Sequence, residues 1–197
     1  RENYTMDPDD LRKKVTKRTK AIIPVHLYGH VAYMEEIIEL AKKNNLKIIE
    51  DASQSLGSKF KGKHSGTFSH LGCFSFYGAK VTTSGEGGAI VTDDKNLCEK
   101  LKQIRNHGQS KNNLITRLGL NLRLSEINAA IAKIQMKKLS LFLMQRKRNA
   151  KILTELLQNC DVILPKQRKN ETFNWYLYTI AHKNRNKIMK QLNSSGI

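Results

Sequence analysis

The chain has 197 residues, 39% of them hydrophobic and 26% charged, which is enough apolar material for a buried core and excludes a disordered or collagen-like composition. No apolar run is long enough to span a membrane as a helix. Lys and Arg number 35 against 17 Asp and Glu, a formal net charge of +18, which favours anionic partners without choosing among nucleic acid, phosphorylated metabolites and a membrane surface.

Cys73, Cys98 and Cys160 are odd in number and lack metal-ligand spacing, so the reading is a reducing, cytoplasmic setting with no disulfide and no metal. There is no secretory leader pattern. Residues 1–5 read as the interior of a longer chain. Residues 193–197 stop just after a turn signal, where a further strand is expected.

In chain order, Asp7-Pro8 is an N-cap followed by proline at the first helical position, and it opens a short helix with Leu11 and Val15 inward. Ala21-Ile-Ile-Pro-Val25 reads as a buried strand. Met34, Ile37, Ile38 and Ala41 fall at helical spacing, and Asn44-Asn45 ends that helix. Leu46-Lys-Ile-Ile49 is the next strand and delivers Glu50 and Asp51 at its carboxyl end. Residues 72–77 form an aromatic-rich strand and residues 88–92 another. Leu97, Leu101 and Ile104 mark a helix after Asp93-Asp94. A polar loop covers 108–123. A long helical region runs over 124–157 with a break near Ser140, and Ile127, Ala130, Ile131 and Ile134 give its start a wide inward face. Residues 175–181 read as a strand and 183–192 as a helix. Strands alternating with helices imply an α/β layer fold with a mainly parallel sheet.

The basic charge is uneven. Arg12, Lys13, Lys14, Lys17, Arg18 and Lys20 crowd into one short stretch. No acidic residue lies between Glu126 and Glu155 or after Glu171. Solvated helix faces account for this pattern. A nucleic-acid surface is the sharper alternative, and it lacks an aromatic ladder, a helix-turn-helix pattern or zinc spacing.

The chemistry-bearing stretch is 48–94. Asp51 sits just past an apolar strand, where open α/β sheets bind ligands. A carboxylate there can ligate Mg²⁺, accept from a ribose, partner a cationic ring nitrogen or simply cap the next helix. Lys80 follows an aromatic strand and precedes a Gly-rich turn. A lysine at such an edge can act as a Schiff-base nucleophile, and it can equally be one more surface lysine. The Ser75 hydroxyl can bind phosphate. Gly85, Gly87 and Gly88 permit backbone conformations closed to other residues, but their spacing is not the dinucleotide fingerprint.

Six ordered pieces change this reading when taken together. They are Pro24-Val-His-Leu-Tyr-Gly29, Ile49-Glu-Asp-Ala-Ser-Gln54, Phe74-Ser-Phe-Tyr77 with Lys80, Gly85-Glu-Gly-Gly88, Arg105-Asn-His-Gly108 and Asn121-Leu-Arg-Leu-Ser-Glu126. In this order they resemble the DegT/DnrJ/StrS family of sugar aminotransferases, which depend on pyridoxal 5′-phosphate (PLP). The resemblance covers about residues 4–197. It implies a type I PLP-transferase fold like that of aspartate aminotransferase: a large domain over 1–123, a connecting helical region over 124–158, and the start of a smaller α+β domain over 159–197.

By the same resemblance, Lys80 is the lysine covalently attached to PLP, and it moves the proton in the substrate adduct. Asp51 partners the pyridine nitrogen, Gln54 the 3-hydroxyl and Ser75 the 5′-phosphate. Asn121, assisted by Arg123, reaches the phosphate of the neighbouring subunit, which implies a homodimer with shared active sites. The implied reaction moves an amino group from glutamate or glutamine to a nucleotide-linked keto sugar, and residues 77–83 resemble the branch making 4-amino-4,6-dideoxy sugars of perosamine type. Family chains are longer, with a phosphate loop and a ring-stacking residue before the region matched here and more of the small domain after it. The competing reading is a non-catalytic regulatory or nucleic-acid-binding protein on a decayed version of this fold. The retention of Lys80, Asp51, Gln54 and Ser75 stands against that reading.

Overall fold

The computed structural model describes residues 3–197; Arg1 and Glu2, which head the 1–5 segment, lie outside the described residues. Helix α1 (Pro8–Lys14) starts as expected, with Asp7 accepting from the amides of Asp9 and Asp10 and with its acidic first turn and basic last turn matching the helix dipole. Strand β1 (Ala21–Ile22) is shorter than the expected run and alternates. Ile22 and Pro24 face the core, while Ile23 is exposed. The reason is position, because β1 is the sheet's edge and Pro24 has no amide to give a ladder.

Helix α2 (Met34–Lys43) buries Met34, Ile37, Leu40 and Ala41 and stops at Asn44, with Asn45 in the left-handed region. It leads into β2 (Lys47–Asp51), whose alternation turns Ile48 and Glu50 to the buried side. The hairpin of β3 (Lys59–Phe60) and β4 (Lys63–His64) turns on Lys61 and Gly62, both at positive φ. Strand β5 (Leu71–Ser75) pairs parallel to β2, and β6 (Gly88–Val91) returns antiparallel to β5. The main sheet therefore runs β1-β2-β5-β6, with its first two pairings parallel. The core lies between this sheet and α2, formed by Ile22, Val31, Ala32, Met34, Ile37, Ala41, Leu46 and Ile48.

Helix α3 (Lys95–Arg105) is capped by Asp94, whose carboxylate accepts from the Leu97 amide. The long helical region is two helices, α4 (Glu126–Lys137) and α5 (Leu139–Leu157), parted at Lys138 close to the expected break. One expectation fails here. The isoleucine face of α4 is not inward, since Ile127 is 74% exposed and Ile131 and Ile134 are also open. The helix is apolar on more than one side, and the side it commits packs on the 82–87 turn, through Met136 against Thr82 and Asn128 on the Glu86 carbonyl.

A second expectation fails at 175–181, which is not a strand. The strand is β7 (Glu171–Thr172), which adds to β3, and helix α6 (Arg185–Ser194) follows. Trp175 sits at φ 53, which no extended ladder accepts. The carbonyls of Trp175 and Tyr176 and the Tyr176 amide bond to side chains, the Leu177 amide donates to the Tyr28 carbonyl, and Ala181 forms an isolated bridge with Ile163.

Candidate active site

Asp51 ends β2 opposite Cys73 of β5, and Ser75 lies two residues further along β5. The backbone of Asp51 is fixed on its other side by β1's extension: its amide donates to the Pro24 carbonyl and its carbonyl accepts from the His26 amide, both at 3.0 Å. One carboxylate oxygen, Oδ1, accepts from the Ser53 amide at 3.0 Å. Among the described residues Asp51 has no ion-pair partner, so Oδ2 remains open at the carboxyl edge of the sheet. Burial pushes the Cys73 thiol up, and the Asp51 carboxylate pushes it further. That thiol stays protonated and is no nucleophile.

Gln54 is oriented by its neighbours. The Tyr28 amide donates to its Oε1 at 2.7 Å, which leaves the Nε2 donor to face outward. Tyr28 is at φ 59 inside a short 3₁₀ turn over Leu27–Gly29. Gly29, at φ 106, has no room for a side chain, because a Cβ there would meet Asn174 Oδ1 at 1.9 Å. Asn174 is buried and ties three segments together. Its Nδ2 donates to the carbonyls of Gln54 and Leu56, its amide donates to Ser58 Oγ, and the Ser58 hydroxyl donates to the Gly29 carbonyl.

Lys80 sits in the loop that links β5 to β6. The loop is closed at its base by the Phe76 amide on the Gly87 carbonyl and by Ser84 N and Thr83 Oγ1 on the Phe76 carbonyl. Gly87 takes φ 147, and a Cβ there would lie 2.7 Å from Leu124. Lys80 is half-buried, its amide donates to the Tyr77 carbonyl, and its Nζ lies 5.0 Å from the centre of the Tyr176 ring. The Tyr176 amide in turn donates to Asn174 Oδ1 at 2.9 Å. Ser75 Oγ accepts from the Tyr77 amide at 3.3 Å, so its hydroxyl proton is free to be donated.

Asp51 and Ser75 lie near the ends of the paired strands β2 and β5, and Gln54 and Lys80 are linked to each other through Asn174 and Tyr176. Asn121 and Arg123 do not join them. Both are exposed on the connector between α3 and α4, where Asn121 bridges Asn106 and Arg123 Nη1 donates to Asn106 Oδ1 at 2.5 Å.

Three features escape sequence patterning. Glu50 is fully buried and accepts from His26 Nε2, the Gly66 amide, and the amide and hydroxyl of Ser69. The Ala32 amide donates to His26 Nδ1, so the ring proton sits on Nε2. The alternation Ile48, Glu50 was the available signal, since it puts a carboxylate on the apolar face. Second, Glu171 is buried with His30 and Arg168. Burial opposes its charge, but the His30 hydrogen bond and the Arg168 guanidinium outweigh this and hold its carboxyl below the ordinary range. Third, Asn174 and Tyr176 carry no local signal, because their partners lie more than a hundred residues away in the chain or in the Lys80 loop.

The donor set fits PLP: an open carboxylate oxygen for a ring nitrogen, an outward amide donor, a hydroxyl proton for phosphate and a lysine amine.

The model of the DegT/DnrJ/EryC1/StrS aminotransferase family matches residues 1–197. GDP-perosamine synthase of Escherichia coli O157:H7 is 38% identical over 91% of this chain and 50% of its own length. The dTDP-3-amino-3,4,6-trideoxy-alpha-D-glucose transaminase of Streptomyces venezuelae is 36% identical over 98% of this chain and 52% of its own length. The crystal structure of DesV from S. venezuelae in complex with a ketimine intermediate superposes with a TM-score of 0.94 at 35% identity, covering 100% of this chain and 54% of that one. The chain spans about half the length of the curated relatives it matches. Its fold is that of the PLP-dependent sugar aminotransferases, and the chain belongs to the DegT/DnrJ/EryC1/StrS aminotransferase family.

Proposed function

We propose that this chain carries the PLP-binding core of an aminotransferase that moves an amino group from glutamate or glutamine to a nucleotide-linked keto sugar. One observation carries the reading: Asp51, with an open oxygen and no cationic partner among the described residues, ends β2 at the edge shared with Ser75 and Lys80. The names of the two relatives above, each a nucleotide-linked amino sugar, support the substrate class. No described helix is long and apolar enough to cross a membrane, and the reading keeps the enzyme in the cytoplasm.

When bound, PLP supplies an electron sink for negative charge developing on the substrate carbon. Asp51 Oδ2 would keep a proton on the ring nitrogen. Gln54 Nε2, its own Oε1 being occupied by Tyr28, would donate to the ring's phenolic oxygen. Ser75 would donate its hydroxyl proton to the phosphate. Lys80 Nζ would supply the amine for the covalent attachment and the base that moves the proton. In this reading residues 1–123 are the large domain, 124–158 the connection and 159–197 part of the small domain.

Asn121 and Arg123 act in a homodimer, on the phosphate held by the other subunit. The surface around them supports this. Leu118 is 92% exposed, and Leu120, Leu122 and the isoleucines of α4 are open as well. Apolar surface on that scale marks an interface.

The test is borohydride reduction of the full chain with PLP added, followed by peptide mass spectrometry. The reading expects the cofactor on Lys80. A tag on another lysine, or no tag, overturns it.

A further inference from the structure

Among the described residues, Lys80 Nζ has no carboxylate partner. It meets the face of the Tyr176 ring instead, 5.0 Å from the centroid. Tyr176 is not placed by a strand, because residues 173–177 form no ladder. Side chains hold it. Its amide is fixed by Asn174 Oδ1, and its carbonyl and that of Trp175 both accept from Arg146 Nη1 at 3.1 Å. Trp175, bent into the left-handed region, is pinned between the rings of Phe173 at 4.3 Å and Tyr178 at 5.9 Å. A non-glycine residue in that conformation persists only where its surroundings over-determine it. Here the bend sends the Trp175 ring between Phe173 and Tyr178 and leaves the Tyr176 ring against the lysine.

The proposed reaction gives that ring a task. An incoming amine would form its carbon–nitrogen bond at the attachment carbon as the bond to Nζ broke. Nζ would leave as a primary amine and would then take up a proton from the substrate carbon. It is then a cation on a flexible four-carbon stem that must return to the same atom. A carboxylate partner would hold it by a directional, charge-assisted bond. An aromatic face attracts a cation without one, so the amine stays near and leaves readily.

We propose that Tyr176 is the seat of the released Lys80 amine, held in place by Asn174 and Arg146. This rests on Lys80 being the cofactor-bearing lysine. The measurement is competitive acetylation of the full chain without cofactor, scored by mass spectrometry as the rate at Lys80 relative to Lys59. Acetylation requires Nζ to leave the ring. Tyr176→Phe keeps the face and should match the wild type. Tyr176→Leu should raise the relative rate by about two- to fivefold. Fluorinated phenylalanines at position 176 preserve the shape and drain the ring's negative face, so the rate should climb with each added fluorine, even if the Leu variant does not fold. A rate indifferent to fluorination overturns the seat. Borohydride reduction with PLP on the same variants separates the two ideas: a tag elsewhere than Lys80 defeats the reading beneath the proposal, while a tag on Lys80 with an indifferent rate defeats the seat alone.

Discussion

Glu50 and Asp51 are neighbours at the end of β2, and the pleat sends them to opposite faces. Behind the sheet, Glu50 is fully buried and saturated: His26, Gly66 and Ser69 supply its hydrogen bonds, and through them it clamps the 66–69 turn to the strand. In front, Asp51 is half-buried and receives one bond from Ser53. A carboxylate whose lone pairs are all engaged belongs to the scaffold. One with an open oxygen beside a ligand-binding edge is free for chemistry. Under the proposed function, the stiffness on one side of the sheet would hold the cofactor's carboxylate partner steady on the other.

That contrast breaks first in activity. Lys80→Ala should remove measurable transamination, and Asp51→Asn should slow the half-reaction by about 10²–10³-fold, since it deletes a preorganised charge at the ring nitrogen. Stopped-flow absorbance of the cofactor-loaded chain reads both. An Asp51→Asn rate equal to wild type would strip that residue of its role. In stability the order reverses. Glu50→Ala leaves buried donors without an acceptor and should cost about 3–5 kcal/mol. Asp51→Ala loses one hydrogen bond and should cost about 0.5–1.5 kcal/mol. Urea unfolding of the two variants side by side decides this, and equal losses would erase the distinction between scaffold and chemistry.

Much of this was legible in the chain because it is local. The caps at Asp7 and Asp94, the apolar face of α2 and the strand leading to Asp51 each depend on residues a few positions apart. Asp51, Gln54, Ser75 and Lys80 lie within one short stretch, so a motif can carry them. What failed was non-local. The composition of 175–181 is that of a strand, but Trp175's conformation and Asn174's bonds to the carbonyls of Gln54 and Leu56 are decided by distant partners. The isoleucines of α4 show helical spacing, and spacing alone does not say whether a partner covers them.

Glu171 extends the comparison to pH. Burial disfavours its charge, yet His30 and Arg168 hold its carboxyl below the ordinary value. A group lowered on folding adds stability that is present above its unfolded value of about 4.3 and is lost as pH falls through the folded value. Glu171→Gln should therefore lose about 1–3 kcal/mol at neutral pH. It should also show a shallower decline than wild type through the acid range. Urea midpoints measured down the pH scale test this, and parallel curves for the two proteins would mean that Glu171 contributes nothing to acid sensitivity.

The smallest expected effect concerns the region that stands apart from the site. Asn121 and Arg123 are exposed and reach none of the other four residues, while the apolar surface beside them is open. If they serve a partner's site, the two defects Lys80→Ala and Asn121→Ala belong to different sites of one dimer. A heterodimer of the two variants then holds one site with both defects and one with neither, by two-fold symmetry. Each parent homodimer should be impaired, and mixing should restore activity to about half of wild type per heterodimer. The lysine variant is silent on its own, so any gain above the average of the parents comes from the intact hybrid site. The check is differential tagging of the two chains, purification of doubly tagged dimers and assay of amino transfer. Confirmed heterodimers that give only the parental average would place Asn121 in its own subunit's site, and the separation seen between the connector and the Lys80 edge would then have to close within one chain.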